Sequence, residues 1–338
     1  MMVTKAGAGE QPRHRRTAQS RGPGRRGEEE VVPDAEFTSY YGRRIVKESP
    51  WEIDIPIYLF TGGVAAGSSL LAAGADLTGR AALRSGCRMG ALGGMVITLG
   101  ALIHDLGKPS RFLNMLRTVK LTSPMSMGTW ILIAYGPMAG LAAVSELSDL
   151  LPRRWAVIAR LLRGSGRPAG MVAATFAPAL GVYTAVLLAD TATPSWHEAH
   201  RELPFVFAGS AAAAAGGLGL LVAPTHQTGP ARRLAVGGAA LEAAADQLME
   251  RSMGITAEPM HTGRAGKYLG AAKALNAAGV AGAVFAAGRS RVGAAVSGAS
   301  FLAGSLLTRM GIFEAGQASA RDPKYVVVPQ RERQGREE

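Results

Sequence analysis

The chain alternates long apolar runs with short polar clusters, and this alternation predicts its architecture. The first run, IPIYLFTGGVAAGSSLLAAGADL, opens around Pro56; others follow at about 89–105, 125–148, 169–190, 203–223, 232–250, 266–288 and 292–310. Each is bounded by arginine, proline or a polar cluster, and a helix of about 20 such residues crosses roughly 30 Å of hydrocarbon. The pattern therefore predicts an all-α, polytopic membrane protein, a bundle of about eight transmembrane helices. Ala/Gly-rich runs such as AGSAAAAAGGLGLLVA are expected inside the bundle, because backbones approach closely over small residues. The string GGVAAG at Gly62–Gly67 has no strand before it, so it reads as a packing surface and not as a phosphate loop. In the sixth run Glu242, Asp246 and Glu250 recur every four residues, which puts them on one helix face. That face is either a proton path or a solvated helix end.

The flanks divide the chain further. Residues 1–38, with RHRR and SRGPGRRGEEE, hold too little apolar surface to offset the entropy of ordering and are expected as a disordered leader. Residues 39–315 form the membrane domain, and 316–338 form a polar tail. No apolar stretch follows either arginine pair closely, which excludes an export signal.

Composition sharpens this picture. Of 338 residues 48% are hydrophobic and 18% charged, against about 25% charged in a typical soluble protein. One cysteine, Cys87, and six histidines are present. An iron–sulfur cluster takes about four thiolates and a structural zinc about four Cys/His ligands at short spacing. Every histidine lies at the edge of a run, in a loop or in a tail, so a bis-histidine haem is not expected either. The bundle is thus expected to be haem-free, with no metal and no iron–sulfur cluster of its own. A lipid bilayer is the expected environment, and no nucleic-acid partner is expected.

With eight spans both termini lie on one side. Connections near 79–88, 149–168, 224–233 and 289–291 are rich in arginine, and positive-inside counting assigns them to the cytoplasm. The termini are then extracytoplasmic, in the cell membrane. The opposite set of connections holds the chemistry.

The stretch 101–130, ALIHDLGKPSRFLNMLRTVKLTSPMSMGTW, sets His104, Asp105, Lys108, Arg111, Arg117 and Lys120 between two apolar runs. Gly107 and Pro109 should end the helix before it, and Pro124 should start the next. His104 and Asp105 are either polar residues of a helix end or a site for a lipid-soluble molecule and protons, since ionisable groups at membrane depth serve function by default. Tyr183, about two turns before Asp190, is either an interfacial aromatic or a pocket hydroxyl. Lys108, Arg111 and Arg117 suit headgroup or partner contacts. Met125 and Met127 read as packing.

Several segments together carry a family resemblance. WEIDIPIYLFTGGVAAGSSLLA, HDLGKPSRFLNMLRTVKLTSPMSMGTW, GVYTAVLLADTATPSWHEAHRELPF, HTGRAGKYLGAAKALNAAG and FEAGQASARDPKY, in that order, resemble the NrfD family of polysulfide reductase type membrane subunits over about residues 40–325. The resemblance implies a haem-free, eight-helix quinone-binding anchor joined to an iron–sulfur (four-cluster ferredoxin-like) subunit and a molybdopterin catalytic subunit. It also implies a quinone pocket at the face that bears the termini.

The combined expectation is a subunit that passes electrons between menaquinone and the iron–sulfur partner, with His104, Asp105, Tyr183 and Asp190 as the reactive set. Tyr58, His104, Asn114 and Tyr183 would hold the quinone. Lys108, Arg111, Arg117, Trp196 and Arg201 would dock the partner, and Glu242, Asp246 and Glu250 would carry protons. The competing expectation is an ion or solute transporter that uses the acidic face of the sixth span, although no paired inverted halves are visible.

Overall fold

The computed structural model describes residues 44–337. Among them the elements are α1 (Asp54–Leu77), α2 (Ala81–Asp105), α3 (Arg111–Met115), α4 (Pro124–Ser145), α5 (Ala156–Ala189), α6 (Pro194–Glu198), α7 (Leu203–Val222), α8 (Gly229–Ser252), α9 (Glu258–His261), α10 (Gly263–Phe285), α11 (Arg291–Arg321) and α12 (Lys324–Glu337), with no strand. The leader expected at 1–38 lies outside the described residues.

Eight of these helices are long, and they pack as two groups of four. α1 packs on α2 and α5, and α4 on α5 and α2; α7 packs on α8 and α11, and α10 on α11. α1 and α7 join the two groups. The breaks follow local chemistry: Gly79 and Gly107 take left-handed φ of 69° and 67° after α1 and α2. Ser123 caps α4 by accepting from the Ser126 N–H, with Pro124 in the first turn.

The chain is an all-α, multi-pass membrane protein. Six helices (α1, α2, α4, α5, α7 and α11) are long and apolar enough to cross a bilayer. Val96, Phe205, Phe285 and Val292 are more than half exposed on the outside of the bundle, as side chains in contact with lipid would be. The other two of the eight expected spans, α8 and α10, are long but more charged. Their charges meet each other: Lys273 Nζ lies 2.8 Å from Asp246 and 2.9 Å from Glu250.

Small residues set the helix spacing. A Cβ on Gly216 of α7 would lie 2.5 Å from the Ala235 backbone of α8, and one on Gly217 would lie 2.7 Å from the Gly298 carbonyl of α11. Gly67, in the GGVAAG string, is pressed in the same way onto the Ala211 carbonyl at 2.8 Å. Hydroxyl pairs then bridge the helices: Thr61 to Thr98 at 2.7 Å, Ser69 to Tyr135 at 2.7 Å and Ser210 to Ser305 at 2.8 Å. Such interhelical bonds contribute about 0.6–2 kcal/mol each in a membrane.

Three boundaries differ from the sequence reading. α5 begins at Ala156, well before 169, because Arg160, Arg163 and Arg167 continue the helix as exposed residues beyond its apolar part. α2 likewise begins at Ala81, ahead of 89, with Arg84 and Arg88 inside it. The domain boundary expected at 315 falls inside α11, which runs to Arg321 with Gln317, Ser319 and Ala320 buried. Polar side chains continue that helix since they have partners: Gln317 donates to the carbonyls of Ser49 and Trp51, and Ser319 accepts from the Ser195 N–H.

The arginine-rich face is more than an anchor. Arg84 and Arg88 turn inward and clamp Asp76 of α1 and Glu146 at the end of α4, with the closest contacts at 2.7 and 2.8 Å to Glu146. Three elements, α1, α2 and α4, are tied there by groups that composition alone would assign to the membrane surface.

Candidate functional site

At the face that gathers the described N-terminal lead-in and the end of α11, Tyr58 of α1 and Tyr183 of α5 meet inside the bundle. Their hydroxyls are hydrogen-bonded, and their rings stand edge to face with centroids 6.4 Å apart. Both are buried, at 3% and 7% exposure. Gly128 of α4 makes room for Tyr183, because a Cβ there would run into the ring.

A small cavity adjoins the pair. Trp51, Ile55, Leu102 and Leu132 give it apolar walls, Met115 of α3 and Met125 of α4 close it, and Asp105 and Thr129 add polar groups. Its volume, about 20 Å³, is on the order of one water. Its lining offers two phenolic hydroxyls, a carboxyl and a threonine hydroxyl against otherwise apolar surface. That set can hydrogen-bond a carbonyl or hydroxyl group brought to the cavity.

His104 and Asp105 are separated by helix geometry. Successive residues point about 100° apart, so only one of them can face the cavity, and that one is Asp105. His104 faces outward at 80% side-chain exposure, with Nδ1 2.8 Å from the Asp54 carboxylate. The pair sits at the mouth of the site, outside its lining.

Other expected site residues are distributed differently. Asn114 is exposed on α3 and does not line the cavity. Asp190, expected in the reactive set, is also exposed at the end of α5; it lines a different groove with His197, Glu198 and Tyr325. Lys108, Arg111, Arg117 and Arg201 are exposed. Trp196 cannot dock a partner: it is 0% exposed, stacks on Trp51 at 6.0 Å, packs against Phe313 and donates to the Ile312 carbonyl at 2.8 Å. An indole this apolar, with a helix carbonyl in reach, is worth more inside the fold than at its rim.

Glu242, Asp246 and Glu250 do share a face of α8, and it is directed at α10 and α11. Glu242 is 6% exposed and accepts from Thr308 at 2.6 Å and Asn276 at 3.2 Å. Lys273 joins Asp246 to Glu250, and His261 lies 3.7 Å from Glu250. Three members of this row were not singled out from sequence: Lys273, Asn276 and Thr308. Nor was Arg309, 0% exposed, whose guanidinium lies 3.5 Å over the Phe207 ring and donates to the Phe207 carbonyl at 2.8 Å. A charged residue within an apolar run was the available signal; ending the run at 310 hid it by making Arg309 look terminal.

Among the described residues no group of three His, Cys, Asp or Glu is placed to hold a metal ion. A search of the curated proteins finds no match to the chain. The family model of polysulphide reductase, NrfD, matches residues 45–234, which is 190 of the 338. That span takes in α1 to α7, and with them every helix that lines the Tyr58–Tyr183 cavity.

Proposed function

From the premise that the chain belongs to the polysulphide reductase NrfD family of membrane subunits, we propose that it is the quinone-reactive anchor of an oxidoreductase complex. The observation that carries this reading is the Tyr58–Tyr183 hydroxyl pair beside Asp105, buried within reach of one face of the bundle. Tyr58 lies four residues into α1, about 6 Å along its axis. A redox centre held against that face would be close enough to exchange electrons with a molecule bound there.

Menaquinone, when bound, supplies the two-electron, two-proton chemistry. Tyr183 and Tyr58 would hold its oxygen atoms by hydrogen bonds, beside the Thr129 hydroxyl, which donates to the Met125 carbonyl. Asp105 takes up or releases protons at its carboxylate. His104, bridged to Asp54, passes them between Asp105 and water at the mouth. Met115 and Met125, unbranched and adaptable, would have to move aside to admit the ring. An iron–sulfur subunit docks over the loop that carries Lys108, Arg111 and Arg117 and links the site to a molybdopterin catalytic subunit. The termini are extracytoplasmic in this arrangement.

Tyr58→Phe or Tyr183→Phe removes one hydrogen bond to the head group. Quinone-linked turnover of the purified complex should fall about tenfold, the equivalent of ~1.4 kcal/mol. Activity of the complex with a soluble dye should be unchanged. Normal quinone turnover in both variants would remove this cavity from the mechanism.

A second role rests on the row from His261 and Glu250 through Lys273 and Asp246 to Glu242 and Thr308. It is a proton route along α8 that serves the anchor, or, in the transporter reading, one that works alone.

A further inference from the structure

α8 and α10 each pack mainly on a different neighbour, α7 and α11, and they leave a cleft between them. Its volume is about 740 Å³, within the range of about 300–1,000 Å³ for small-molecule sites. Val236, Ala240, Val280, Ala281, Val284 and Phe285 are among its apolar lining. Val284 and Phe285 are 51% and 72% exposed on the outside of the bundle, so the cleft opens where lipid lies.

Its inner end is polar, with Glu242, Asp246, Lys273, Asn276 and Thr308. Every carboxylate there already has a donor: Lys273 lies between Asp246 at 2.8 Å and Glu250 at 2.9 Å, and Glu242 accepts from Thr308 and Asn276. A charged head would meet groups that already hold partners, and stripping its water at membrane depth is costly. Glu242 and Asn276 each lie 13 residues from the start of their helix, and 10 and 9 from its end. At 1.5 Å per residue that is about 13–20 Å from either end, while Asp246 lies six residues, about 9 Å, from the end of α8. The polar groups that remain are complementary to a hydroxyl. The Lys273 ammonium has three N–H donors, two of which serve Asp246 and Glu250. The carboxylates of Asp246 and Glu242 have lone pairs to accept a proton donor.

We propose that the cleft between α8 and α10 is a second binding site, for a neutral amphiphile whose hydroxyl head meets Lys273 and Asp246 while its long apolar tail lies along Val280–Phe285. Alcohols, phenols and quinols of long chain length share this chemistry. The site is distinct from the Tyr58–Tyr183 cavity, and neither depends on the other.

The test uses the full-length chain, within its complex, labelled by 2-dodecylhydroquinone with a diazirine in the tail and mapped by mass spectrometry. Labelling of Val236–Ala240 and Val280–Phe285 is expected. Lys273→Leu, which removes the donor, and Ala281→Phe, which fills the tail channel, should each reduce that labelling about tenfold. Co-purification of a variant with its complex as a single size-exclusion peak shows that it is folded, and labelling around Met115 and Met125 reports the other cavity separately. Competition by unlabelled 2-dodecylhydroquinone or by 1-dodecanol supports the site and identifies which head it prefers. The proposal is overturned if dodecane competes as well as either, if dodecyltrimethylammonium competes better than both, or if folded Lys273→Leu and Ala281→Phe label normally.

Discussion

At the scale of single residues, burial decided roles that residue type left open. Trp196 has the composition of an interface hot spot, yet it is wholly enclosed by Trp51, Phe313 and the tight wall at Gly316. Trp196→Ala should cost about 3–5 kcal/mol by leaving a cavity. Trp196→Phe, which loses mainly the bond to the Ile312 carbonyl, should cost about 1 kcal/mol. Thermal unfolding of the two variants in detergent measures the difference; equal and small effects would mean that the indole lies at the surface. His104 and Asp105 teach a related lesson. They are neighbours in sequence and different in role, since a helix turns about 100° between them.

At the scale of elements, the ends of helices carry more than a hydropathy profile reveals. Arg84 and Arg88 fall at the polar margin of α2, where a charge count assigns them to water or lipid headgroups. Instead they hold Glu146, just beyond the end of α4. Burial works to raise the Glu146 carboxyl, but hydrogen bonds and charge from Arg84 and Arg88 outweigh it and hold the group below its usual 4.5. A carboxyl depressed on folding adds stability above its unfolded value and loses it as pH falls through the folded one. The bundle should therefore lose stability as pH drops below about 4.5. Glu146→Gln should be less stable at neutral pH and show a flatter pH dependence over that window, measured by thermal unfolding. An unchanged pH profile would mean that the clamp adds nothing. α7 and α8 make a second point at this scale. Their closeness rests on Gly216, whose Cβ would meet Ala235 at 2.5 Å. Gly216→Val should push the two helices apart and reduce the yield of folded protein, as read by size-exclusion chromatography.

At the scale of the whole molecule, the two ends of the bundle differ in kind. One holds the Tyr58–Tyr183 cavity, the exposed His104 and the loop with Lys108, Arg111 and Arg117; the other is closed by the Asp76–Arg84–Arg88–Glu146 clamp and by Arg291, which donates to the carbonyls of Leu220 and Ala223. If electrons enter from a docked iron–sulfur subunit, that subunit must sit over the first end. Arg111→Glu or Arg117→Glu should release it from the membrane, while Arg153→Glu or Arg163→Glu should not. Co-purification with the membrane fraction reads the outcome, and the opposite pattern would place the partner on the wrong face.

The positions of the long helices, the stop at Gly107, the restart at Pro124 and the shared face of Glu242, Asp246 and Glu250 were all legible in the chain, because each follows from local period, backbone freedom or capping chemistry. Tyr58, Asp105 and Tyr183 could be singled out as polar groups beside apolar runs. Their meeting could not, since it depends on how α1, α2, α4 and α5 cross and on the space left by Gly128. The same holds for Lys273 against Asp246, for Arg309 over Phe207, and for the continuation of α11 beyond its apolar part. Those features depend on partners distant in sequence. A polar side chain that finds such a partner can stay in a helix, and in the interior, where its own hydropathy would exclude it.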